Sequence, residues 1–178
     1  MGYTTDFEGT FALDRPLSPE HAAYLRAFSH TRRMARSALA EDMTDDVRSA
    51  AGLPIGEESG YFVGGGGDFG QARDASIVSY NDPPKGQPGL WCQWVPTEDN
   101  TGIEWNGSEK FYSYVEWLRY LVDNFIKPWG YVLSGRVTWR GEDHGDVGAI
   151  VVADNIVEAI DGIATRTCPK CGTSVEAD

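Results

Sequence analysis

Apolar and polar residues alternate near the start of the chain, between residues 7 and 13. Phe7, Phe11 and Leu13 occupy odd positions, and polar or small residues lie between them. A period of two is the pattern of a strand with one buried face. The sequence therefore predicts a first strand here.

A helix is predicted to follow this strand. Ser18 is a favourable N-cap residue, and Pro19 suits the first helical position. Apolar residues then recur on one face of a helical wheel as far as about Leu39. We expect an amphipathic helix over residues 19 to about 39.

The strongest helical periodicity lies farther along the chain. Ser108 is placed to cap a helix, and Pro128 and Gly130 are placed to end it. The apolar positions recur at spacings of three and four residues: Phe111, Tyr114, Val115, Leu118, Leu121, Val122 and Phe125. This pattern predicts a second amphipathic helix.

The remaining segments read as strands and loops. Strand-like composition occurs at residues 76–80, 90–95, 102–105, 131–139, 147–153 and 156–160. Four consecutive glycines, Gly64 to Gly67, lack the Gly-Lys-Ser/Thr ending of a phosphate-binding loop. They favour a mobile glycine-rich loop over about residues 52–75.

The order of these elements lacks the regular strand-helix alternation of a parallel doubly wound fold. We therefore predict an α+β fold, mainly an antiparallel sheet with two amphipathic helices packed on one face. The other face is expected to be partly exposed or to meet another chain. Residues 1–163 would form one domain, and residues 164–178 a C-terminal tail.

Composition narrows the classes of function. The 178 residues include 27 acidic and 15 Lys or Arg residues, for a net charge of -12, which makes nucleic acid an unfavourable partner. No apolar run approaches the roughly 20 residues that span a bilayer, so no membrane partner is expected. The N-terminus lacks the basic and apolar regions of a secretory signal, and we expect a cytoplasmic protein.

The predicted tail contains half of a zinc knuckle. Cys168 and Cys171 are separated by two residues, a spacing that lets two thiolates bind one metal ion. Because a closed structural site needs four protein ligands, two copies of the chain could share one zinc ion in a homodimer. A metal-free tail is the alternative, and the cofactor stays open.

Basic residues concentrate on one side of the first predicted helix. The candidates for binding a phosphate or an acidic partner are Arg26, His30, Arg32, Arg33 and Arg36. The alternative is that these residues neutralise neighbouring acids such as Glu41 and Asp42, which is the usual role of charges on a helix surface.

Aromatic residues of the second helix are further candidates for binding. Tyr112, Trp117 and Tyr120 fall outside the apolar arc, where large amphipathic aromatic residues often anchor interfaces. A wider core that covers them is the alternative. Cys92 is a candidate nucleophile, although a buried free cysteine is the commoner case.

Two stretches of the chain resemble a known family. The first is FEGTFALDRPLS at residues 7–18 together with TRRM at 31–34, and the second runs from residue 89 to 155 and includes GLWCQWVPTED, EKFYSYVEWL, KPWGYVLSGRVTW and IVVADN. They resemble an uncharacterised family of small acidic proteins encoded by actinobacteria and their bacteriophages. The resemblance implies a phage or mobile-element setting, but no functional residue.

The sequence favours a non-catalytic binding or regulatory accessory protein that engages a host or phage protein. The first alternative is a small enzyme that uses loop carboxylates, drawn from Glu98, Asp99, Glu104, Glu142, Asp143 and Asp146. The second alternative is a module that docks phosphate or nucleic acid through the arginine residues. An enzyme should have a deep pocket with converging polar groups, whereas a binding protein should have an aromatic patch rimmed by charge.

Overall fold

The computed structural model describes residues 2–43, 45–162, 165–167 and 174–176. Its main sheet has six strands: β1 (Thr5–Leu13), β2 (Trp94–Pro96), β3 (Gly102–Trp105), β4 (Leu133–Gly141), β5 (Val147–Ala153) and β6 (Ile156–Asp161). Their spatial order is β2-β3-β1-β4-β5-β6, and every neighbouring pair is antiparallel. Two short strands, β7 (Thr165–Thr167) and β8 (Ser174–Glu176), pair separately.

The two faces of the sheet differ in burial. Phe11, Gly135 and Val152 are directly opposite one another across β1, β4 and β5, and Phe11 and Val152 are buried. One position earlier on β1, Thr10 lies opposite Arg136, and both are exposed. The period of two in β1 therefore reports a sheet with one buried face and one partly exposed face, as expected.

The described residues form three α-helices: α1 (Pro19–His30), α2 (Asp46–Ala50) and α3 (Tyr114–Leu121). Ser18 caps α1, because its Oγ accepts a hydrogen bond from the backbone N–H of His21 at 3.3 Å. A π-helical turn, Val122–Ile126, continues α3. Short 3-10 turns lie at Ala38–Asp42, Glu57–Ser59 and Asp68–Gly70. No helix in the described part of the chain is long and apolar enough to cross a membrane.

Aromatic residues join α1 to α3 and to the π-helical turn within the core. The ring centroids of Phe28 and Trp117 are 6.0 Å apart, and those of Tyr24 and Phe125 are 5.2 Å apart. These residues belong to the same buried cluster as Phe11 of β1. The predicted α+β class with a mainly antiparallel sheet is confirmed, whereas the packing of two helices on one face stays a prediction.

The first helix is shorter than predicted. It ends at His30 instead of near Leu39, because the backbone turns to an extended conformation at Thr31. The backbone N–H groups beyond this point bond to distant segments: that of Arg33 donates to Leu90 O at 2.9 Å, and that of Arg36 to Glu58 O at 3.0 Å. Long-range contacts have overridden the local helical pattern.

Other predicted elements also differ from the structure, and β2, for example, spans Trp94–Pro96 instead of residues 90–95. The predicted strand at residues 76–80 is wrong, since only an isolated bridge between Arg36 and Ile77 occurs there. Helix α3 begins at Tyr114 instead of near Ser108, because Ser113 adopts a left-handed conformation with φ of 54°.

The glycine-rich segment makes specific hydrogen bonds. The backbone N–H of Gly64 donates to Thr31 Oγ1 at 2.9 Å, and that of Ala72 donates to Gly66 O at 2.8 Å. Gly70 has a φ of 70°, and a Cβ there would collide with the carbonyl of Gly64. This segment follows a defined path toward the C-terminal end of α1.

Candidate functional site

A cavity of about 600 Å³ opens beside the last turn of α1, and we call it the groove. It lies between α1, the tip of the glycine-rich segment, the chain that leads into β2, and the chain between β3 and α3. Its lining residues are Arg26, Ser29, His30, Phe69, Trp91, Cys92, Gln93, Val95, Asn106, Ser108, Glu109, Lys110 and Tyr112. Four separate segments of the sequence therefore build this site.

Three rings form an aromatic wall of the groove. The Phe69 ring centroid is 4.7 Å from that of His30 and 5.3 Å from that of Trp91, and Phe69 meets Trp91 edge to face. The guanidinium of Arg32 lies 5.5 Å from the Trp91 ring centroid, within the range of a cation–π contact. The wall therefore offers both apolar surface and a nearby positive charge.

Phe69 is held in place through its backbone. It lies in the 3-10 turn Asp68–Gly70, and its carbonyl accepts a hydrogen bond from the backbone N–H of Arg32 at 2.9 Å. The guanidinium of Arg36 donates to Gly70 O at 3.1 Å. These two bonds attach the tip of the glycine-rich segment to the chain that follows α1.

The rim of the groove is basic, although the protein as a whole is acidic. The basic lining residues are Arg26, His30 and Lys110, and the acidic lining residue is Glu109. Arg26 Nη2 donates to Thr97 O and to the side chain of Asn100, both at 2.8 Å, which fixes its charge at the rim. The local excess of positive charge favours an acidic ligand.

Hydrogen bonds also fix the polar part of the lining. Ser29 Oγ donates to Cys92 O at 2.7 Å, which ties α1 to the segment before β2. Gln93 Nε2 donates to Glu109 O at 3.0 Å, and Gln93 Oε1 accepts from Trp105 Nε1 at 3.0 Å. These bonds hold the walls at a defined separation.

Cys92 lines the groove but is a poor nucleophile. Its side chain is buried, and burial raises the pKa of the thiol to about 12. Since the thiolate is the reactive form, Cys92 stays unreactive near neutral pH. The structure therefore gives the nucleophile hypothesis no support, although His30 lines the same groove.

The predicted basic residues separate into two groups. Arg26 and His30 lie on α1 at the groove, and Arg32 lies against its aromatic wall. Arg33 and Arg36 are only 2 % and 3 % exposed. A single exposed arginine face on the first helix is therefore wrong, because α1 ends before Arg32 and the chain turns two of the arginine residues inward.

The two buried arginine residues bind loop segments. Arg33 Nη2 donates to Gly60 O at 2.7 Å, and its guanidinium lies 4.0 Å from the Phe28 ring centroid. Burial lowers the pKa of Arg33. Arg36 forms an ion pair of 2.8 Å with Asp74, so one of these arginine residues has a carboxylate partner.

The predicted aromatic residues also have different environments. Tyr112 is exposed and lines the groove, but it precedes α3 instead of lying on it, and its role in binding stays a prediction. Trp117 is fully buried against Phe28, so the alternative of a wider core holds for this residue and it is not available for binding. Tyr120 is half-buried, and its hydroxyl accepts a hydrogen bond from Gln87 Nε2 at 3.0 Å. The buried face of α3 is wider than the apolar arc indicated.

Loop carboxylates occur near a second, open depression lined by Thr97, Glu98, Asp99, Thr101 and Glu104. Hydrogen bonds from Thr97 and Thr101 lower the pKa of Asp99 to about 2. Asp99 is therefore ionised near neutral pH and cannot act there as a general acid. Asp146, at the β4–β5 turn, accepts hydrogen bonds from Tyr3 and Trp139.

Metal binding has no candidate cluster in the described part of the chain, where no group of three His, Cys, Asp or Glu residues could hold an ion. Cys168 and Cys171 lie outside the described residues. The zinc site shared between two chains stays a prediction.

Sequence reasoning missed Phe69, Trp91 and Lys110 as residues of the site. Phe69 carried one usable signal, because a large aromatic residue stands among glycines at the tip of a loop. Trp91 and Lys110 lie in segments that only the fold brings next to α1.

Comparisons with family models, curated proteins and solved structures found no match to this chain.

Proposed function

We propose that this chain is a non-catalytic binding protein that receives a segment of a partner protein in the groove. The observation that carries the proposal is the combination of an aromatic wall with a basic rim, in a protein whose net charge is -12. Aromatic residues and arginine dominate the binding energy of many interfaces.

The chemistry of the groove supports binding over catalysis. The Cys92 thiol is protonated and buried. The polar side chains of Ser29 and Gln93 are occupied by bonds to the protein's own backbone. Side chains that bond to the protein's own backbone fix the shape of a site instead of acting on a reacting centre.

Two wider statements belong to the same proposal. The sequence resemblance supports a role as an accessory protein of phage or mobile-element type, engaging a host or phage protein. The shared core of Phe28 and Trp117 supports the packing of α1 and α3 on one face of the sheet. That arrangement would present the groove at the β2 edge of the sheet.

A display library of random peptides tests the proposal. Selection against the immobilised full chain should yield peptides that lose binding to the Lys110→Glu variant and keep binding to Lys127→Glu. Lys110 lines the groove, whereas Lys127 is an exposed lysine after the π-helical turn, so both variants change the net charge equally. Selected peptides that bind both variants equally would contradict the proposal.

A further inference from the structure

Phe69 has a backbone conformation that a bulky residue adopts only at a cost in free energy. Its φ of 56° and ψ of 25° lie in the left-handed region, which favours glycine and asparagine. The side chain is nevertheless 40 % exposed, so burial compensates only part of that cost. Strained backbone conformations that the surroundings hold in place are concentrated at ligand-binding and other functional sites.

The strained backbone directs the ring of Phe69 into the aromatic wall. There it contacts the rings of His30 and Trp91, and Tyr112 lines the same groove. Aromatic rings prefer edge-to-face or offset contacts with other rings. An aromatic side chain that enters the groove would meet partners of this kind.

The basic residues of the rim set the charge of the ligand. Arg26, His30 and Lys110 line the groove against the single carboxylate of Glu109. Lys110 is exposed and has no ion-pair partner among the described residues. A volume of about 600 Å³ exceeds that of one aromatic side chain. A ligand that places an aromatic ring in the groove would therefore also bring its neighbouring groups close to Arg26 and Lys110.

We propose that the groove binds acidic peptide segments that carry an aromatic anchor, and that Phe69 selects the anchor. This inference rests on the proposed function, because it names the chemistry of the segment that the groove receives. Carboxylates of the segment pair with the rim, and its aromatic ring packs against Phe69 and Trp91.

Four fluorescein-labelled peptides of eight residues test the chemistry by fluorescence anisotropy. The first has one tryptophan flanked by glutamates, the second replaces the tryptophan with alanine, and the third and fourth replace the glutamates with glutamines or lysines. The first peptide should bind the full chain about tenfold more tightly than each of the others, as expected when both an anchor and its charges contribute. Its affinity should fall with added salt.

The Phe69→Asn variant separates recognition from folding. Asparagine tolerates the left-handed backbone, so the variant should keep or raise the Tm of the wild type. Its affinity for the tryptophan–glutamate peptide should nevertheless fall about tenfold, the effect of removing one anchor contact. Lys110→Glu should lower the affinity for the same peptide, and Lys127→Glu should leave it unchanged.

Equal affinity for all four peptides, or an unchanged affinity of Phe69→Asn for the tryptophan–glutamate peptide, would overturn the inference. Free indole-3-acetate that binds as tightly as this peptide would also overturn it, because the groove would then be a site for small anions. Library peptides that need Lys110 but lack acidic or aromatic residues would overturn it while leaving the proposed function standing. If no library peptide depends on the groove, both fail.

Discussion

The six-stranded sheet with α3 and the long segment over residues 31–93 differ in how many charged side chains they bury. In the sheet and α3 the buried residues are almost all apolar, for example Phe11, Leu118 and Ile150. In the segment, whose described residues form one five-residue α-helix and short 3-10 turns, the buried residues include Arg33, Arg36 and Asp45. Apolar burial thus dominates one region, whereas the other combines apolar burial, as at Phe62, with hydrogen bonds of buried charged groups.

The difference follows from how the backbone N–H and C=O groups of each region find hydrogen-bond partners. A sheet or helix pairs its own backbone groups, so its side chains are free to exclude water. A long irregular segment leaves backbone carbonyls unpaired, and buried carbonyls need donors. Arg33 and Arg36 provide them by donating to Gly60 O and Gly70 O. The groove lies at the junction of the two regions.

The largest effect is expected in the apolar region. Leu118→Asp would place an unpaired charge where the side chain is fully buried, and should lower the free energy of unfolding by about 4 kcal/mol or more. Urea denaturation followed by circular dichroism measures this loss. Leu118→Ala should cost about 3 kcal/mol if the aspartate variant does not fold.

The neighbouring exposed residue is the control for this prediction. Arg119→Ala should change the free energy of unfolding by less than about 0.5 kcal/mol, because its ion pair with Glu116 is exposed and long. Wild-type stability in Leu118→Asp would show that this face of α3 is not part of the core.

An intermediate effect is expected from the irregular segment. Arg36→Met removes the donor to Asp74, Ser76 and Gly70 O, and should cost about 2 kcal/mol. Amide exchange should accelerate mainly in residues 58–78, while the sheet stays protected. Arg73→Met, at an exposed position of the same segment, should leave both measurements unchanged.

Equal acceleration of exchange in the sheet and in the segment after Arg36→Met would mean that the two regions unfold together. The two regions would then differ in the residues that they bury but not in how they unfold.

The smallest effect concerns pH. Partial burial raises the pKa of Asp74, but hydrogen bonds from Ser76 and Arg36 outweigh it, so that the pKa is lowered overall. A carboxyl group with a lowered folded-state pKa stabilises the protein above its unfolded pKa of about 3.8, and that contribution is lost as the pH falls through the folded pKa.

Urea midpoints at about pH 6 and about pH 3 would measure this contribution. The wild type should lose more stability than Asp74→Asn over this interval, since the amide does not titrate. Identical losses of stability in the two proteins would show that Asp74 does not contribute to destabilisation by acid.

The two regions also differ in how far the sequence predicted them. The bounds of β3 and β5 agree with the predicted strands, because their flanking turns and apolar runs are local features. The predicted helix beyond His30 failed because Arg33 and Arg36 bond to residues more than twenty positions away. No periodicity within residues 31–39 reports such contacts.

The same limit applies to the groove. Arg26, His30 and Tyr112 were candidates because each stands out on its own helix or near it. Their union with Phe69, Trp91 and Lys110 depends on how the irregular segment packs beside β2. The sequence shows which residues are charged or aromatic, but contacts between distant segments depend on the tertiary fold.

The main-chain bonds of Arg33 and Arg36 have a consequence for how this protein can diverge. A carbonyl oxygen is the same group whatever side chain its residue bears, so mutations in the segment can change its outer surface without removing these acceptors. Gly70 is an exception, since only glycine fits its backbone. Related chains could therefore exchange the residues that face a partner while two inward-pointing arginine residues preserve the path of the loop.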